Sequence, residues 1–308
     1  MPRRDSAPTY TMRQLAAFVA VAETGTITAA ADLMHLSPSA LSASITELER
    51  ALKVQLCVRR RSFGVQLTRT GESVLVRARA LLQQADELES DALGTAGTVS
   101  GPIAIGCYPA LGPTILPSMI AGFTRTYPAT QVEFREDNQN RLQTHLENGE
   151  LDLAIAYDLD LSSELRTIPL TTRQPLIVLS AEHPLAQSEN PIHLPDLAKF
   201  PMVLLNAPPS TKHALDVCRL GGFVPDVAYR TGNFETARAF VGRGLGWTLL
   251  LQRPKMDITY EGLEVVVKTI GSPAVPSVDV VLAWHQDARL SRVARSFIEF
   301  VSQQDDRQ

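Results

Sequence analysis

The chain is poor in cysteine. Its 308 residues hold three, Cys57, Cys107 and Cys218, an odd number at wide spacing. That excludes a disulfide framework and any CxxC pair, and it points to a reducing cytoplasm. The six histidines form no HxxxH or Cys/His cluster, so no metal site is expected. Aromatic residues make up only 6%, and no apolar run reaches the roughly 18 residues of a membrane span. There is no GxSxG elbow, and Gly242-Arg243-Gly244-Leu245-Gly246 follows a helical pattern rather than a strand, which counts against a dinucleotide fingerprint. Arg3-Arg4 with the apolar Leu15–Ala22 imitates an export signal, but Glu23 and the helix pair behind it argue against export. These absences argue against an enzyme and against a cofactor. A nucleophile at Cys107 or Ser210 would need a base that the sequence does not place, and apolar packing is the expected role of Cys107.

What is present is a skewed charge. Residues 1–80 carry 11 Lys/Arg against 6 Asp/Glu, and residues 81–308 carry 18 against 27. A basic N-terminal module on an acidic body suggests nucleic-acid contact at one end only. That end reads as a helix-turn-helix. Ala30, Ala31, Leu33 and Met34 give one short helix an apolar face, and His35-Leu36 is a tight connection. Ser37 suits an N-cap and Pro38 the first helical position. Leu41, Ile45 and Leu48 then recur at i, i+4 and i+7 as the buried stripe of a second helix. Ser39, Ala40, Ser42, Ala43 and Thr46 point outward, a face too small and uncharged for ordinary helix surface. A preceding helix buries Leu15, Phe18, Val19 and Ala22 and ends at Gly25. Val54–Arg59 and Val65–Thr68 read as two short strands around Ser62-Phe63-Gly64, a basic wing.

Leu48-Glu49, Leu52, Leu56 and Arg59, followed by Leu67-Thr68 and Gly71, fall in step with a known pattern. With the helix-turn-helix before them, they resemble the DNA-binding domain of LysR-type transcriptional regulators. The resemblance implies an all-α winged helix-turn-helix over residues 1–69. It implies DNA contacts through Thr28, Pro38, Ser39, Ser42, Ala43, Thr46 and Arg50, with Arg59, Arg60 and Arg61 on phosphates and in the minor groove. The chain also departs from the family. Regulators of this kind commonly carry Gln-Pro where this chain has Pro38-Ser39, and often Arg or His at the position of Ala43. Direct base readout is therefore expected to be modest.

Residues 70–93 read as a long helix. Val74, Ala78, Leu81, Ala85, Leu88 and Ala92 form a heptad seam, expected to be a dimer contact. Gly94–Gly101 reads as a linker, with the hinge at 94–100. From residue 101 strands and helices alternate, which predicts an α/β domain with a mainly parallel sheet. The resemblance adds a two-lobed, periplasmic-binding-protein-like effector domain, lobe I at about 101–171 and 277–308 and lobe II at about 172–276. In open α/β sheets ligands meet strand C-termini and helix N-termini. The cleft residues expected on that basis are Cys107, Tyr108, Pro109, Ala110, Asn138, Asn206, Ser210, Thr211, Thr231, Asn233 and Thr248. The expected partners are double-stranded promoter DNA, a small-molecule effector, RNA polymerase as a further candidate, and copies of the chain as a homodimer or homotetramer, with no membrane. An enzyme or a solute receptor on the same fold are the rival readings.

Overall fold

The computed structural model describes residues 8–60, 64–92 and 99–305. The chain divides into two compact units, the first running to Val99 and the second from Ser100; the short pieces 147–150 and 288–292 group with the first.

The N-terminal unit contains α1 (Met12–Thr24), α2 (Ile27–Leu33), α3 (Pro38–Leu52), β1 (Cys57–Arg60), β2 (Gly64–Leu67) and α4 (Arg69–Ala92). Its helices start where capping side chains sit. Thr11 and Gln14 make a reciprocal capping box on α1, Thr26 caps α2, and Ser37 caps α3 by accepting from the Ala40 N–H. Gly25 closes α1 in the left-handed region (φ 70°). The core gathers Leu15, Phe18, Val21, Ala30, Ala31, Leu41, Ile45, Leu48 and Leu56. Each large apolar side chain buried there contributes about 1.5–3 kcal/mol.

Two expectations shift. Val19 and Ala22 are half-buried while Ala17, Ala20 and Val21 are buried, so the stripe of α1 is turned from the predicted one. Leu33 is 62% exposed at the end of α2 and takes no part in the core. The wing is tied down by glycines. A Cβ on Gly64 would lie 2.4 Å from the Gly25 carbonyl oxygen, and one on Gly71 would lie 2.2 Å from that of Leu56. Arg61, Ser62 and Phe63, the expected tip of the wing, lie outside the described residues.

The seam of α4 is shared out differently from the expectation. Ala78 is buried, and Val74 and Leu81 are partly buried, packed on the unit's own core beside buried Leu75. Leu88 is 70% exposed. The first half of the heptad pattern therefore serves the fold of this unit.

The second unit contains β3 (Ser100–Cys107), α5 (Gly112–Thr126), β4 (Ala129–Glu136), α6 (Gln139–Glu147), β5 (Leu153–Tyr157) and β6 (Leu165–Arg173). It continues with β7 (Leu176–Ser180), β8 (Ile192–His193), β9 (Met202–Leu205), α7 (Ser210–Leu220), β10 (Val227–Thr231), α8 (Phe234–Gly242) and β11 (Thr248–Leu250). β12 (Val265–Ser272), β13 (Val278–His285) and α9 (Arg292–Asp305) complete it. Ser100 and Gly101, read from sequence as linker, belong to β3.

Lobe I is the five-stranded sheet β4-β3-β5-β13-β6 with α5 and α9, where Phe123 and Phe297 stack edge to face at 4.8 Å. Lobe II holds the four-stranded sheet β11-β7-β12-β8 and the parallel pair β10-β9. The chain leaves lobe I after Arg173 and re-enters it at Val278.

The sheets are mixed, not mainly parallel. β3 runs parallel to β4 and β5, but β13 is antiparallel to both β5 and β6, and β7 is antiparallel to β11 and β12. The reason is the crossing. A strand that returns from the other lobe enters from the opposite end of the sheet. β6, β8 and β12 are the strands that the alternation alone did not reveal. β6 tolerates Pro169 because it is an edge strand and the proline sits at a register shift opposite Val281.

Candidate nucleic-acid interface and effector cavity

The outward face of α3 is presented by what lies behind it. Leu41, Ile45 and Leu48 are fully or almost fully buried, which turns Pro38, Ser39, Ala43, Thr46 and Arg50 to solvent and leaves Ser42 half-buried. Thr28 is exposed in the first turn of α2. The Glu49 carboxylate accepts from the backbone N–H groups of Leu56 (2.8 Å) and Cys57 (3.0 Å), locking the wing to α3. Val65 N–H donates to the Gly25 carbonyl at 2.8 Å, which holds the other wing strand to the α1–α2 corner. Thr68 donates to the Gln55 carbonyl (2.7 Å) and accepts from the Gly71 N–H (2.9 Å), joining wing to α4. The hydroxyls on the face are partly committed. Ser37 and Ser39 share a hydrogen bond at 3.1 Å, and Thr46 donates to the Ser42 carbonyl at 3.0 Å. Thr46 is therefore left as an acceptor. Arg59 and Arg60 place their backbone in β1.

In the second unit a cavity of about 830 Å³ lies between the lobes, the size range of small-ligand sites. Five of the expected residues line it: Tyr108, Pro109, Ala110, Asn138 and Asn233. Ser210 instead lines an adjoining cavity of about 10 Å³, room for one water, with Tyr157, His213 and Gln252.

The remaining five line neither. Cys107 is fully buried in β3, and Thr248 is fully buried in β11 with its hydroxyl unpartnered. Thr211 donates its hydroxyl to the Leu205 carbonyl, and the Thr231 hydroxyl accepts from the Asn233 N–H, each a local turn contact. Asn206 is exposed, its backbone N–H donating to Thr231. Cys107 and Thr248 thus belong to strands, and the side chains of Thr211 and Thr231 are taken up by their own turns.

The lobes are hydrogen-bonded to each other at the cavity wall. The Tyr108 hydroxyl, from lobe I, lies 3.0 Å from both the Ala207 carbonyl and the Ser210 hydroxyl of lobe II. Having one hydrogen, it donates to Ala207 and accepts from Ser210. Burial pushes its pKa up, so it acts as a neutral phenol. The Thr114 hydroxyl of lobe I has two acceptors for its one hydrogen, the Gln252 side-chain oxygen of lobe II at 3.1 Å and the Leu111 carbonyl at 3.2 Å. At the surface Lys212 reaches Asp160 at 2.7 Å.

Sequence reading missed the charged part of the wall. Arg238 is buried in α8, bonded to Glu235 (2.6 Å) and donating to the Met256 and Ile258 carbonyls at 3.0 and 3.1 Å. Glu235 also accepts from the Tyr260 N–H at 2.9 Å. This pair therefore holds the 256–260 segment as the outer wall. Its only sequence signal was an Arg three residues after a Glu on a helix, which reads as a surface ion pair. Arg173, Gln252, Arg253 and Lys255 also line the cavity.

Among the described residues no three or more His, Cys, Asp or Glu are grouped to hold a metal ion, and no helix is long and apolar enough to cross a membrane. A winged helix-turn-helix followed by a two-lobed α/β domain with a cleft defines a one-component regulator, a DNA reader and a ligand receptor on one chain. Residues 12–72 match the family described as bacterial regulatory helix-turn-helix protein, lysR family, and residues 96–306 match the LysR substrate binding domain. The chain belongs to the LysR family of DNA-binding transcriptional regulators.

It is 71% identical to the C-terminal domain of a probable LysR family regulator from Rhodococcus sp. RHA1, covering 66% of this chain and all of that one, with a TM-score of 0.66. It is 32% identical to HinK, a LysR family regulator from Pseudomonas aeruginosa, over 96% of this chain and 98% of that one (TM-score 0.64). It is also 32% identical to the DNA-binding transcriptional dual regulator OxyR of Escherichia coli K12, covering 78% of each chain.

Proposed function

We propose that this chain is a cytoplasmic, oligomeric regulator without enzymatic activity, whose operator binding responds to a small molecule in the cavity between the lobes. The observation that carries the reading is the double use of Tyr108, Thr114 and Gln252. They line the cavity and they hydrogen-bond lobe to lobe. A ligand that touches these groups differently in the open and closed arrangements shifts the balance between them, and only such differential contact can. The DNA contacts on this reading are Thr28 and the α3 face from Pro38 to Arg50, with the wing arginines on the backbone.

The test is Tyr108→Phe in the full chain. It removes the two interlobe bonds of the Tyr108 hydroxyl with little change of shape and leaves the Thr114–Gln252 and Lys212–Asp160 contacts in place. Operator binding without ligand should persist, and the ligand-dependent change in operator affinity, read by fluorescence anisotropy, should be lost or reduced. An unchanged response would overturn the reading.

A second reading comes from relatives named as hydrogen peroxide-inducible genes activators, 31–33% identical over about four-fifths of this chain. Peroxide sensing by cysteine needs an accessible thiolate. All three cysteines here are buried. Burial pushes the Cys218 thiol up to about 11, and raises that of Cys107 beyond it. Cys107 ends a lobe I strand while Cys218 lies in the apolar core of lobe II. The thiols of this chain are suited to packing. Hydrogen peroxide at micromolar dose should leave three titratable thiols and unchanged operator affinity.

A further inference from the structure

The chain belongs to a DNA-binding family, and the chemistry of α3 decides which base groups its reader can meet. With Leu41, Ile45 and Leu48 buried on one side of that helix, Ser39, Ala43, Thr46 and Arg50 follow one another at i, i+4, i+7 and i+11 on the opposite side. All four are exposed, and Pro38 and Ala40 are exposed beside them in the first turn. Arg50 stands in the last turn, whereas a helix-turn-helix reads base edges through the N-terminal residues of its second helix. The stretch Pro38–Thr46 is therefore the part that meets bases, and it carries no guanidinium, ammonium or carboxamide group.

The hydroxyls of that stretch already have partners within the helix. Ser39 shares a hydrogen bond with Ser37, and Ser37 caps the helix by accepting from the Ala40 N–H at 3.2 Å. Thr46 spends its hydrogen on the Ser42 carbonyl. Between Ser39 and Thr46 on the ridge stands Ala43, a bare methyl. Set against the four base pairs, such a surface is selective. Guanine offers two acceptors on its major-groove edge, and the ridge brings no forked donor to them. Thymine is the base with an apolar group there, its C5 methyl, which alanine and the threonine methyl suit. Its partner adenine presents an amino hydrogen that the Thr46 lone pairs can accept.

Resting on the reading of α3 as the face that enters the groove, we infer that this regulator selects its operator through thymine methyl groups, with Ala43 the specificity-determining residue that contacts them. The contact is made to the base and not to phosphate, so it depends on sequence and leaves the salt dependence of binding untouched. Each such contact is apolar and small, and discrimination is built from several of them rather than from one bidentate pair.

Uracil is thymine without the methyl and keeps every hydrogen-bonding group, which makes it the probe. The full chain first enriches duplexes from a random-sequence library. The best duplex is then resynthesised with deoxyuridine in place of thymine, one position at a time, and its affinity is read by fluorescence anisotropy at several salt concentrations. Enriched duplexes should carry thymine at a fixed place in each half-site. Deoxyuridine there should weaken binding about fourfold per position, the worth of one buried methyl, with the salt slope unchanged. Ala43→Ser, which sets a hydroxyl on the ridge, should bring the thymine-to-uracil ratio toward one without moving the melting temperature of the first unit. Ala43→Arg should redirect the enriched sequence to guanine. Deoxyuridine duplexes bound as tightly as thymine ones, guanine as the fixed base for the wild type, no sequence enriched, or an unchanged ratio in Ala43→Ser would each overturn the inference. Ala43→Arg redirecting the sequence while deoxyuridine is silent would leave α3 as the reader and remove only the methyl contact. Ala43→Arg leaving both sequence and affinity unchanged would take α3 out of the groove, and the inference with it.

Discussion

The outward face of α3 offers hydroxyls and methyl groups on one regular surface, whereas the cavity wall offers guanidinium, amide and aromatic groups from segments far apart in sequence. The first has no cation before Arg50 and no large side chain. The second holds four cations, two of them spent on the chain's own acids. The difference shows how each surface is made. On α3 the regular backbone spacing alone sets short side chains outward over the buried Leu41, Ile45 and Leu48. In the cavity the polar groups come from β6, α8 and the strand ends of both lobes.

The sharpest way to break the comparison is to remove the scaffold of one surface alone. Gly71→Val forces a side chain into the Leu56 carbonyl, 2.2 Å from where its Cβ would lie. Overpacking of this kind costs about 1–3 kcal/mol when a side chain can yield, and more against backbone. Operator binding should fall below detection, and the melting transition of the first unit should be lost. The second unit should keep its own melting transition in calorimetry. A Gly71→Val chain that binds operator with wild-type affinity would show that the wing is not held to α4 through this contact.

On the other surface the matching break is Arg238→Ala. It leaves the Glu235 carboxylate partly buried and strips the Met256 and Ile258 carbonyls of their donor. Loss of one partner of a buried pair costs about 3–5 kcal/mol. The second unit should melt several degrees lower, while Arg238→Ala should bind operator as the wild type does without ligand. A melting temperature unchanged within a degree would mean that the 256–260 wall is not clamped by this residue.

How much of each surface could be read in advance follows from the same contrast. The α3 face was legible because Ser37-Pro38 marks the helix start and Leu41, Ile45 and Leu48 fix its phase. The turns of the cleft were legible as turns, since Tyr108-Pro109 and Asn233 sit where a strand pattern gives way to a helix pattern. Which side chain looks into the cavity was not. Thr231 and Thr211 are spent on local backbone bonds, and Thr248 points into the lobe II core, choices made by packing rather than by spacing. Arg173 and Gln252 were invisible for a different reason. Arg173 ends a strand, Leu165–Arg173, whose burial is too irregular to show period two, and Gln252 follows the three-residue β11.

A smaller effect separates folding from association. The seam residues Val74, Ala78 and Leu81 pack on their own unit, but Leu88 stays exposed. Leu88→Asp should therefore leave the melting of the first unit nearly unchanged and raise the subunit dissociation constant by about a hundredfold or more. A symmetric contact loses about 1.5–3 kcal/mol of burial twice. Leu81→Asp should differ by lowering that unit's stability as well. Sedimentation at micromolar concentration distinguishes them; a fully associated Leu88→Asp chain would place the subunit contact elsewhere.

The smallest expected effect tests what α3 can read. Thr46 spends its hydroxyl hydrogen on the Ser42 carbonyl at 3.0 Å, which leaves lone pairs facing outward. Those can accept from the adenine or cytosine amino groups in the major groove but cannot donate to guanine O6 or thymine O4. Thr46→Val keeps the branched shape and deletes the acceptor. One neutral hydrogen bond is worth about 0.5–1.5 kcal/mol, so the operator-to-random affinity ratio should fall about two- to tenfold. The salt dependence should not move, because no phosphate contact is lost. Arg60→Ala should do the reverse, weakening operator and random DNA alike and lowering the logarithmic salt slope by about 0.9 if one phosphate contact goes. Titrations at several salt concentrations measure both quantities on the same samples. A Thr46→Val protein with an unchanged ratio, or one whose salt slope falls while its ratio holds, would mean that Thr46 touches the backbone of the DNA rather than a base edge.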